Sequence, residues 1–339
     1  MEYFRDRFIA ELNDEGEIEI AGNVWSRHEV LVTMDPNAAK DVFQDWVDDA
    51  KQAAIERTRE FLTETGCLDR FRTLAHRVDQ KNVVPFVGAG MSATSGFPLW
   101  SQFLQNLVRG APKLEAAVVA HLTAGRFEEA AQVVVEAKGA ISLSEAIHNQ
   151  FGAHRRKVEG PVQLLPAVFA GEVVTTNFDY VLPHAYKAAE QPFTTVFCGP
   201  DLRSAPQRLG NDPRCLLRLH GQGDDDQGRV LTLTEYEDAY TANRTLAGVL
   251  SALIGLRSLL FIGCSLQQDR TLQALIQLRQ AAQVAPPRHY AFLQLPEPDQ
   301  REERTRLLSN AEIYPIYYPA GDHDQHIEDM LITLMEGGL

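Results

Sequence analysis

The stretch from Val83 to Trp100 reads VVPFVGAGMSATSGFPLW, and it is the first indication of the fold class. Its first five residues are apolar and predict a buried strand, and Gly88 and Gly90 predict a tight turn into a following helix. Glycines at such a turn let backbone N–H groups approach a phosphate closely, and a helix N-terminus favours an anion. A glycine turn can also join strand to helix without binding any ligand.

Five further short runs rich in β-branched and aromatic residues follow, with helical patterns between them. They are EVVTTNF from Glu172, TTVFC from Thr194, CLLRLHG from Cys215, SLLFIG from Ser258 and RHYAFLQL from Arg288. Strands that alternate with helices favour an open parallel sheet. We therefore expect an α/β protein with a Rossmann-like open parallel sheet of about six strands and helices on both faces.

The strand signals are interrupted between the first two runs. From about 111 to 168 the sequence reads as several short helices, which predicts a helical module inserted into the sheet domain. We expect one domain over residues 81–339 that carries this insert.

The first 80 residues follow a different pattern. Alternating stretches near Phe8–Ile20 and Val24–Thr33 flank Gly22 and Asn23, which predicts a hairpin. A helical pattern without Gly or Pro then runs from Asn37 to about Phe61. We expect residues 1–80 to be a hairpin-plus-helix appendage that serves oligomerisation or regulation.

Composition narrows the class of protein. The 339 residues are 45% hydrophobic and carry a formal net charge of −14. This negative charge argues against a protein whose whole surface binds nucleic acid directly through electrostatic attraction. The charged N-terminus lacks the apolar core of a signal peptide, and no later stretch is long and apolar enough for a membrane span. We therefore expect a cytoplasmic protein without membrane contact.

The four cysteines are widely dispersed, at Cys67, Cys198, Cys215 and Cys264. Because no Cys-x-x-Cys pair is present, the sequence predicts neither a zinc site nor a disulfide framework.

Polar residues follow several of the strands. Thr175, Thr176, Asn177 and Asp179 end the second run, His220 ends the fourth, and Gly263 and Ser265 follow the fifth. The carboxyl ends of strands form the ligand crevice of open α/β sheets, so these residues are candidates for one site. Each also has an ordinary explanation, because Asn and Asp commonly end strands and a lone histidine is more often structural than catalytic.

Together and in this order, these signals resemble the sirtuin-like family, specifically its bacterial branch of NAD⁺-depleting effectors in anti-phage defence. The resemblance covers roughly Asn82 to His323 and leaves residues 1–80 outside. Four motifs carry it: Gly88-Ala89-Gly90-Met91-Ser92 matches the G-A-G-x-S loop, Thr175-Thr176-Asn177-Phe178-Asp179 the T-x-N-x-D motif, His220 the catalytic histidine and Gly263-Cys264-Ser265 the G-x-S turn.

The resemblance implies that residues 81–339 bind NAD⁺ and cleave the bond between nicotinamide and ribose. Asn177 would hold the nicotinamide-side ribose and order a water, Asp179 would bind the carboxamide, and Ser265 would face the adenosine-side ribose. His220 would accept a proton from a ribose hydroxyl or from the attacking water. The remaining ligand residues implied by the motifs are Gly88, Ala89, Gly90 and Ser92, which would cradle the phosphates, together with Thr176 and Gly263.

Protein deacylases of this family carry a structural zinc on two Cys-x-x-Cys pairs, and this chain has no such pair. The resemblance therefore implies a zinc-free NAD⁺ glycohydrolase that converts its substrate NAD⁺ to nicotinamide and ADP-ribose. The alternatives are a sensor that binds NAD⁺ or ADP-ribose without turnover, and an NAD-dependent protein deacylase or ADP-ribosyltransferase. A dehydrogenase is disfavoured because the glycine loop lacks the third glycine of the dinucleotide fingerprint. A purely structural subunit would leave the polar strand ends unexplained.

A constantly active NAD⁺ hydrolase would poison its own cell, so we expect activity to depend on assembly or on a trigger. A homo-oligomer is expected. Because the chain has no Walker motif, ATPase activity would have to come from a partner. The family resemblance suggests a HerA-like DNA-translocating ATPase, and the alternative is a self-assembling effector switched by a small nucleotide or a phage protein.

Overall fold

The computed structural model describes residues 2–153, 157–198, 202, 205, 214–226, 228–240, 246–255, 257–267, 270–281 and 287–339. Its strands are β1 (Ile18–Ile20), β2 (Asn23–Trp25), β3 (Val83–Val87), β4 (Val173–Thr175), β5 (Thr195–Cys198), β6 (Cys215–Arg218), β7 (Ser258–Ile262), β8 (His289–Gln294) and β9 (Ile313–Tyr318).

The helices before the sheet are α1 (Glu2–Asp14), α2 (Arg27–Met34), α3 (Pro36–Glu64) and α4 (Leu68–Asp79). Between β3 and β4 lie α5 (Gly90–Ala93), α6 (Trp100–Val108), α7 (Pro112–Thr123), α8 (Phe127–Lys138), α9 (Ala140–Phe151), a 3-10 turn (Pro161–Leu164) and α10 (Leu165–Val168). The later helices are α11 (Val181–Ala188), α12 (Leu233–Ala239), α13 (Leu246–Ile254), α14 (Arg270–Ala281), α15 (Pro298–Ser309) and α16 (His323–Met335).

Seven of the described strands form one parallel sheet in the order β5-β6-β4-β3-β7-β8-β9. The expected Rossmann-like open parallel sheet is confirmed, and each of the six predicted runs contains one of its strands. The chain passes from β3 to β4 on one side and reaches β7 on the other, so the connections change direction at β3. In open sheets this topological switch point forms the crevice that binds ligands.

The sheet has one strand more than the six predicted runs. Strand β9 contains Pro315, which lacks the N–H that a strand needs to bond on both sides. Proline is tolerated at the edge of a sheet, and β9 is an edge strand.

The N-terminal hairpin is present but shorter than predicted, because β1 and β2 pair over only three residues each. The alternation read from Phe8 onwards is wrong: Phe4 and Phe8 are both buried from helix α1, at a spacing that places them on one helical face. The second stretch is also helical after Trp25, since Ser26 and Glu29 form a capping box that starts α2.

The long helix predicted from Asn37 is α3, and it packs along α16 at the other end of the chain. The guanidinium of Arg57 donates to both carboxylate oxygens of Asp329, at 2.8 and 2.7 Å. Asp329 is buried, and Thr333 donates a hydrogen bond to Thr58 beside it. These contacts join α3 to the sheet domain's last helix, and the proposed role of residues 1–80 in assembly or regulation stays a prediction. No helix within the described ranges is long and apolar enough to cross a membrane.

Candidate functional site

A pocket lies where the carboxyl ends of β3, β4, β6 and β7 meet. Predicted site residues in its wall are Gly88, Ala89, Gly90, Thr176, His220, Gly263 and Ser265. Helices α6 and α8 add a mainly apolar wall that includes Leu99, Trp100, Leu104 and Phe127. The topology thus brings residues from five separate chain segments to one cavity.

The glycines of the first loop are needed for close packing against the turn after β7. A Cβ atom on Gly88 would lie 2.5 Å from the carbonyl oxygen of Gly263 and 2.7 Å from the sulfur of Cys264. The N–H groups of Gly88 and Gly90 donate to the carbonyls of Ile262 and Gly263, at 2.9 and 3.0 Å. Gly263 itself has a φ of +68°, which favours glycine. In this conformation these two N–H groups are occupied by the neighbouring loop.

Ala89 differs from the glycines on either side of it. It lines the pocket, and its N–H makes no hydrogen bond with any residue that the structure describes. An unpaired N–H at the edge of a cavity can donate to a ligand oxygen.

Ser92, Asn177, Asp179 and Arg218 lie below the pocket surface, and we call them the buried polar cluster. The Nδ2 of Asn177 donates to the carbonyl of Gly88 at 3.1 Å and to the hydroxyl of Ser92 at 3.2 Å. These bonds fasten the end of β4 to the glycine loop. The Oδ1 of Asn177 is buried without a hydrogen bond in the described part of the chain.

Arg218 stabilises the turn that carries the T-x-N-x-D motif. Its guanidinium donates to the carbonyls of Asn177, Phe178 and Asp179 at 3.2, 3.3 and 2.8 Å. Burial raises the pKa of the Asp179 carboxyl, and hydrogen bonds from Val181 and Ser92 and the charge of Arg218 act in the opposite direction. Burial lowers the pKa of Arg218, and the charge of Asp179 opposes that change.

His220 lines the pocket just after β6 and is half-buried. Burial lowers the pKa of its imidazole to about 4, so the ring is neutral at physiological pH. Its backbone carbonyl accepts a hydrogen bond from the N–H of Val230 at 2.9 Å, which fixes the residue against the next segment. A neutral imidazole at a cavity wall can accept a proton.

Three further residues at this site are not among the candidates predicted from the sequence. Glu128 and Arg270 both line the pocket, and Arg218 organises the turn beneath it. Arg218 was visible as a charged residue within the apolar run CLLRLHG, and such a residue is rarely buried without partners. Glu128 and Arg270 lie in ordinary helical sequence, and nothing local distinguishes them from surface charges.

No group of three or more His, Cys, Asp or Glu side chains within the described ranges is placed to hold a metal ion.

Residues 171–316 match the family described as SIR2-like domain. The chain contains a SIR2-like domain. The matched range includes the T-x-N-x-D motif, His220 and the G-x-S turn, whereas the glycine loop at Gly88 precedes it. The resemblance to the sirtuin-like family is thereby confirmed. A search of curated proteins finds no match to this chain.

Members of the SIR2-like family are NAD-dependent enzymes, so the SIR2-like domain indicates an NAD-related activity. Its sheet is the one that supplies β4, β6 and β7 to the pocket.

Proposed function

We propose that the chain is an NAD⁺ glycohydrolase, with the pocket at the switch point as its active site. The observation that carries this proposal is that His220, held neutral by burial, lines the same cavity as the glycine loop, Thr176 and Ser265. A dinucleotide needs a site that spans the switch point, and hydrolysis needs a group there that can take up a proton.

In the proposed reaction, the bond between C1′ of the ribose and the nicotinamide nitrogen breaks, and its electron pair leaves with nicotinamide. Water adds to C1′ and releases one proton, which His220 accepts. The transition state resembles an oxocarbenium ion, as in other glycoside cleavages, so a strong base is unnecessary. A water attacking such a centre becomes more acidic as the new bond forms, and a weakly basic imidazole suffices.

The buried polar cluster has a positioning role in this proposal. Asn177 holds the glycine loop in position through its hydrogen bonds to Gly88 and Ser92. Its buried Oδ1 is an acceptor to which a water in the site can donate a hydrogen bond. Asp179 is fixed by Arg218 and by the N–H of Val181. The N–H of Ala89 makes no hydrogen bond with the described residues and is a donor available to a phosphate oxygen.

The setting of this activity is also a proposal, and it rests on the motif resemblance. We place the chain among NAD⁺-depleting effectors of bacterial anti-phage defence, as a cytoplasmic homo-oligomer that a trigger activates. A HerA-like ATPase is the candidate partner, with a small nucleotide or a phage protein as the alternative trigger.

The experiment is to incubate the purified chain with NAD⁺ alone and to quantify nicotinamide and ADP-ribose. We expect both products in equal amounts and their loss in His220→Ala. His76→Ala is the matched control, because His76 is an exposed histidine on α4, and it should keep wild-type turnover.

The alternatives predict different results in the same assay. Binding of NAD⁺ without product would support the sensor. Nicotinamide release that requires an acyl-lysine peptide would support the deacylase, and ADP-ribose bound covalently to protein would support the transferase.

A further inference from the structure

The chain that follows His220 lies against the last long helix of the insert, α9. We call residues 221–226, 228 and 229 the acidic loop. The N–H of Gly223 donates to the carbonyl of Phe178 at 3.1 Å, which ties this loop to the T-x-N-x-D turn. A Cβ atom on Gly223 would lie 2.9 Å from the carbonyl carbon of Phe151, so the loop also packs closely on the end of α9. The acidic loop therefore connects the pocket to the helical insert.

Asp224 makes the contacts between the acidic loop and α9. Its Oδ2 accepts a hydrogen bond from the N–H of Ala153 at 2.9 Å, and its Oδ1 lies 3.1 Å from the Nδ1 of His148. Burial raises the pKa of Tyr180 to about 12, with the charge of Asp224 acting in the same direction and that of Arg218 in the opposite direction. The carboxylate thus lies between the end of α9 and the turn after β4.

The far end of the acidic loop has a separate attachment. The Nη1 of the buried Arg229 donates to the hydroxyl of Ser144 at 2.8 Å and to Oδ1 of Asp226 at 2.9 Å, and its Nη2 donates to Glu235 at 3.0 Å. Asp224 holds the part of the loop that directly follows the pocket histidine. A change at Asp224 therefore leaves the contacts of Arg229 in place.

The end of α9 is itself held against the pocket. The ring centre of Phe151 lies 5.2 Å from that of Trp100, which lines the pocket, and 6.3 Å from that of Phe178 in the T-x-N-x-D motif. Aromatic rings at these distances stabilise one another beyond the area that they bury. The end of α9 is therefore a firm support to which a loop can be fastened.

We propose that Asp224 is a positioning residue, which fastens the acidic loop to the end of α9 and so keeps the imidazole of His220 at the pocket wall. Strand β6 fixes the backbone before His220, and the acidic loop fixes the backbone after it. A displacement of about 1 Å at a reacting group can cost on the order of 10²-fold in rate. This inference rests on the proposed function for the role of His220 in turnover.

The test follows the imidazole of His220 in the full chain by NMR between about pH 4.5 and 7.5, with its signal assigned by its absence in His220→Gln. In Asp224→Ala the ring should become more solvated, and the midpoint of its titration should rise by at least about one pH unit. In the NAD⁺ assay, kcat should fall about 10–100-fold while KM stays within about 3-fold. A merely structural role would lower the free energy of unfolding and move neither reading.

Three further variants separate the contacts of Asp224 from a general effect on the loop. Asp224→Asn keeps an oxygen that can accept the N–H of Ala153, and its kcat should stay within about 3-fold of the wild type. His148→Ala removes the partner on α9 and should move both readings in the same direction as Asp224→Ala, by a smaller amount. Asp226→Asn is the matched control, because that side chain is 62% exposed and its amide oxygen can still accept from Arg229.

The two readings distinguish this inference from the proposed function. If the wild-type chain releases no nicotinamide, the proposed function fails, and the titration still shows whether Asp224 holds His220. An unmoved titration in folded Asp224→Ala overturns the inference, whatever the turnover. A wild-type kcat in that variant also overturns it and leaves the proposed function standing. If Asp224→Ala does not fold, His148→Ala decides by the same two criteria.

Discussion

Thr176 and Asn177 are neighbours in the chain, yet they lie in different surroundings. Thr176 is half-buried in the pocket wall with His220, whereas Asn177 is 3% exposed within the buried polar cluster. A motif of five residues therefore contributes both to the surface that would meet a ligand and to the support beneath it. The pocket wall should control turnover, and the buried polar cluster should control stability and the shape of the loop.

The largest effect is expected at His220. His220→Ala should lower the rate of nicotinamide release by about 10²–10⁴-fold, which is the usual contribution of a general base. The free energy of unfolding should change by less than about 1 kcal/mol, because the residue is only half-buried and makes no side-chain hydrogen bond with the described residues. The measurements are product release and urea unfolding. If the loss of turnover were accompanied by a comparably large loss in the free energy of unfolding, His220 would have a structural role. The pocket wall and the buried polar cluster would then not have separate roles.

Gly88→Ala should produce the largest loss of stability, about 3 kcal/mol, because the new methyl group would overlap a backbone oxygen of the neighbouring turn. Gly171→Ala is the matched control, since nothing lies within 4 Å of the added carbon there. Urea unfolding of both variants gives the comparison. Similar stabilities for the two would show that the glycine loop can move away from the turn after β7.

Asn177→Ala should destabilise the chain by about 2 kcal/mol, because it removes the donor to the hydroxyl of Ser92 and one of two donors to the carbonyl of Gly88, which keeps only the N–H of Met91. Thr176→Ala is its control in the pocket wall and should change stability by less than about 0.5 kcal/mol. Urea unfolding distinguishes them. A greater loss for Thr176→Ala would reverse the assignment of the two neighbours.

The last prediction concerns the pH dependence of stability and compares a pocket histidine with a core histidine. Burial lowers the pKa of both His220 and His289 to about 4, and the pKa of an unfolded histidine is about 6.5. Between these values the unfolded chain binds more protons than the native chain. The resulting stability is therefore complete above about pH 6.5 and is lost as the pH falls towards 4.

Each histidine should contribute a slope of at most about 1.4 kcal/mol per pH unit to the free energy of unfolding. His220→Gln should remove one such contribution while His289, whose Nδ1 accepts the N–H of Leu259 at 3.0 Å, keeps the other. Urea unfolding between about pH 4.5 and 7.5 measures the slopes. An unchanged slope in His220→Gln would mean that its ring is readily protonated in the native chain.

Much of the fold could be predicted because strands and helices have local sequence patterns. The six apolar runs became parallel strands, and residues Asn37 to Phe61 lie within α3. Two elements were not predicted. Strand β9 had no predicted counterpart, and the alternation near Phe8, interpreted as a strand, also fits the face of a helix.

Local patterns in the sequence predicted six strands of the sheet and indicated that the polar strand ends would meet, because the carboxyl ends of parallel strands share one edge. Which of those residues face the cavity and which lie beneath it became evident from the three-dimensional packing alone. This packing also brought Glu128 and Arg270 to the same pocket from helices more than a hundred residues apart. Side-chain direction at a turn and contacts between distant helices depend on packing across the whole domain, and no local pattern encodes them.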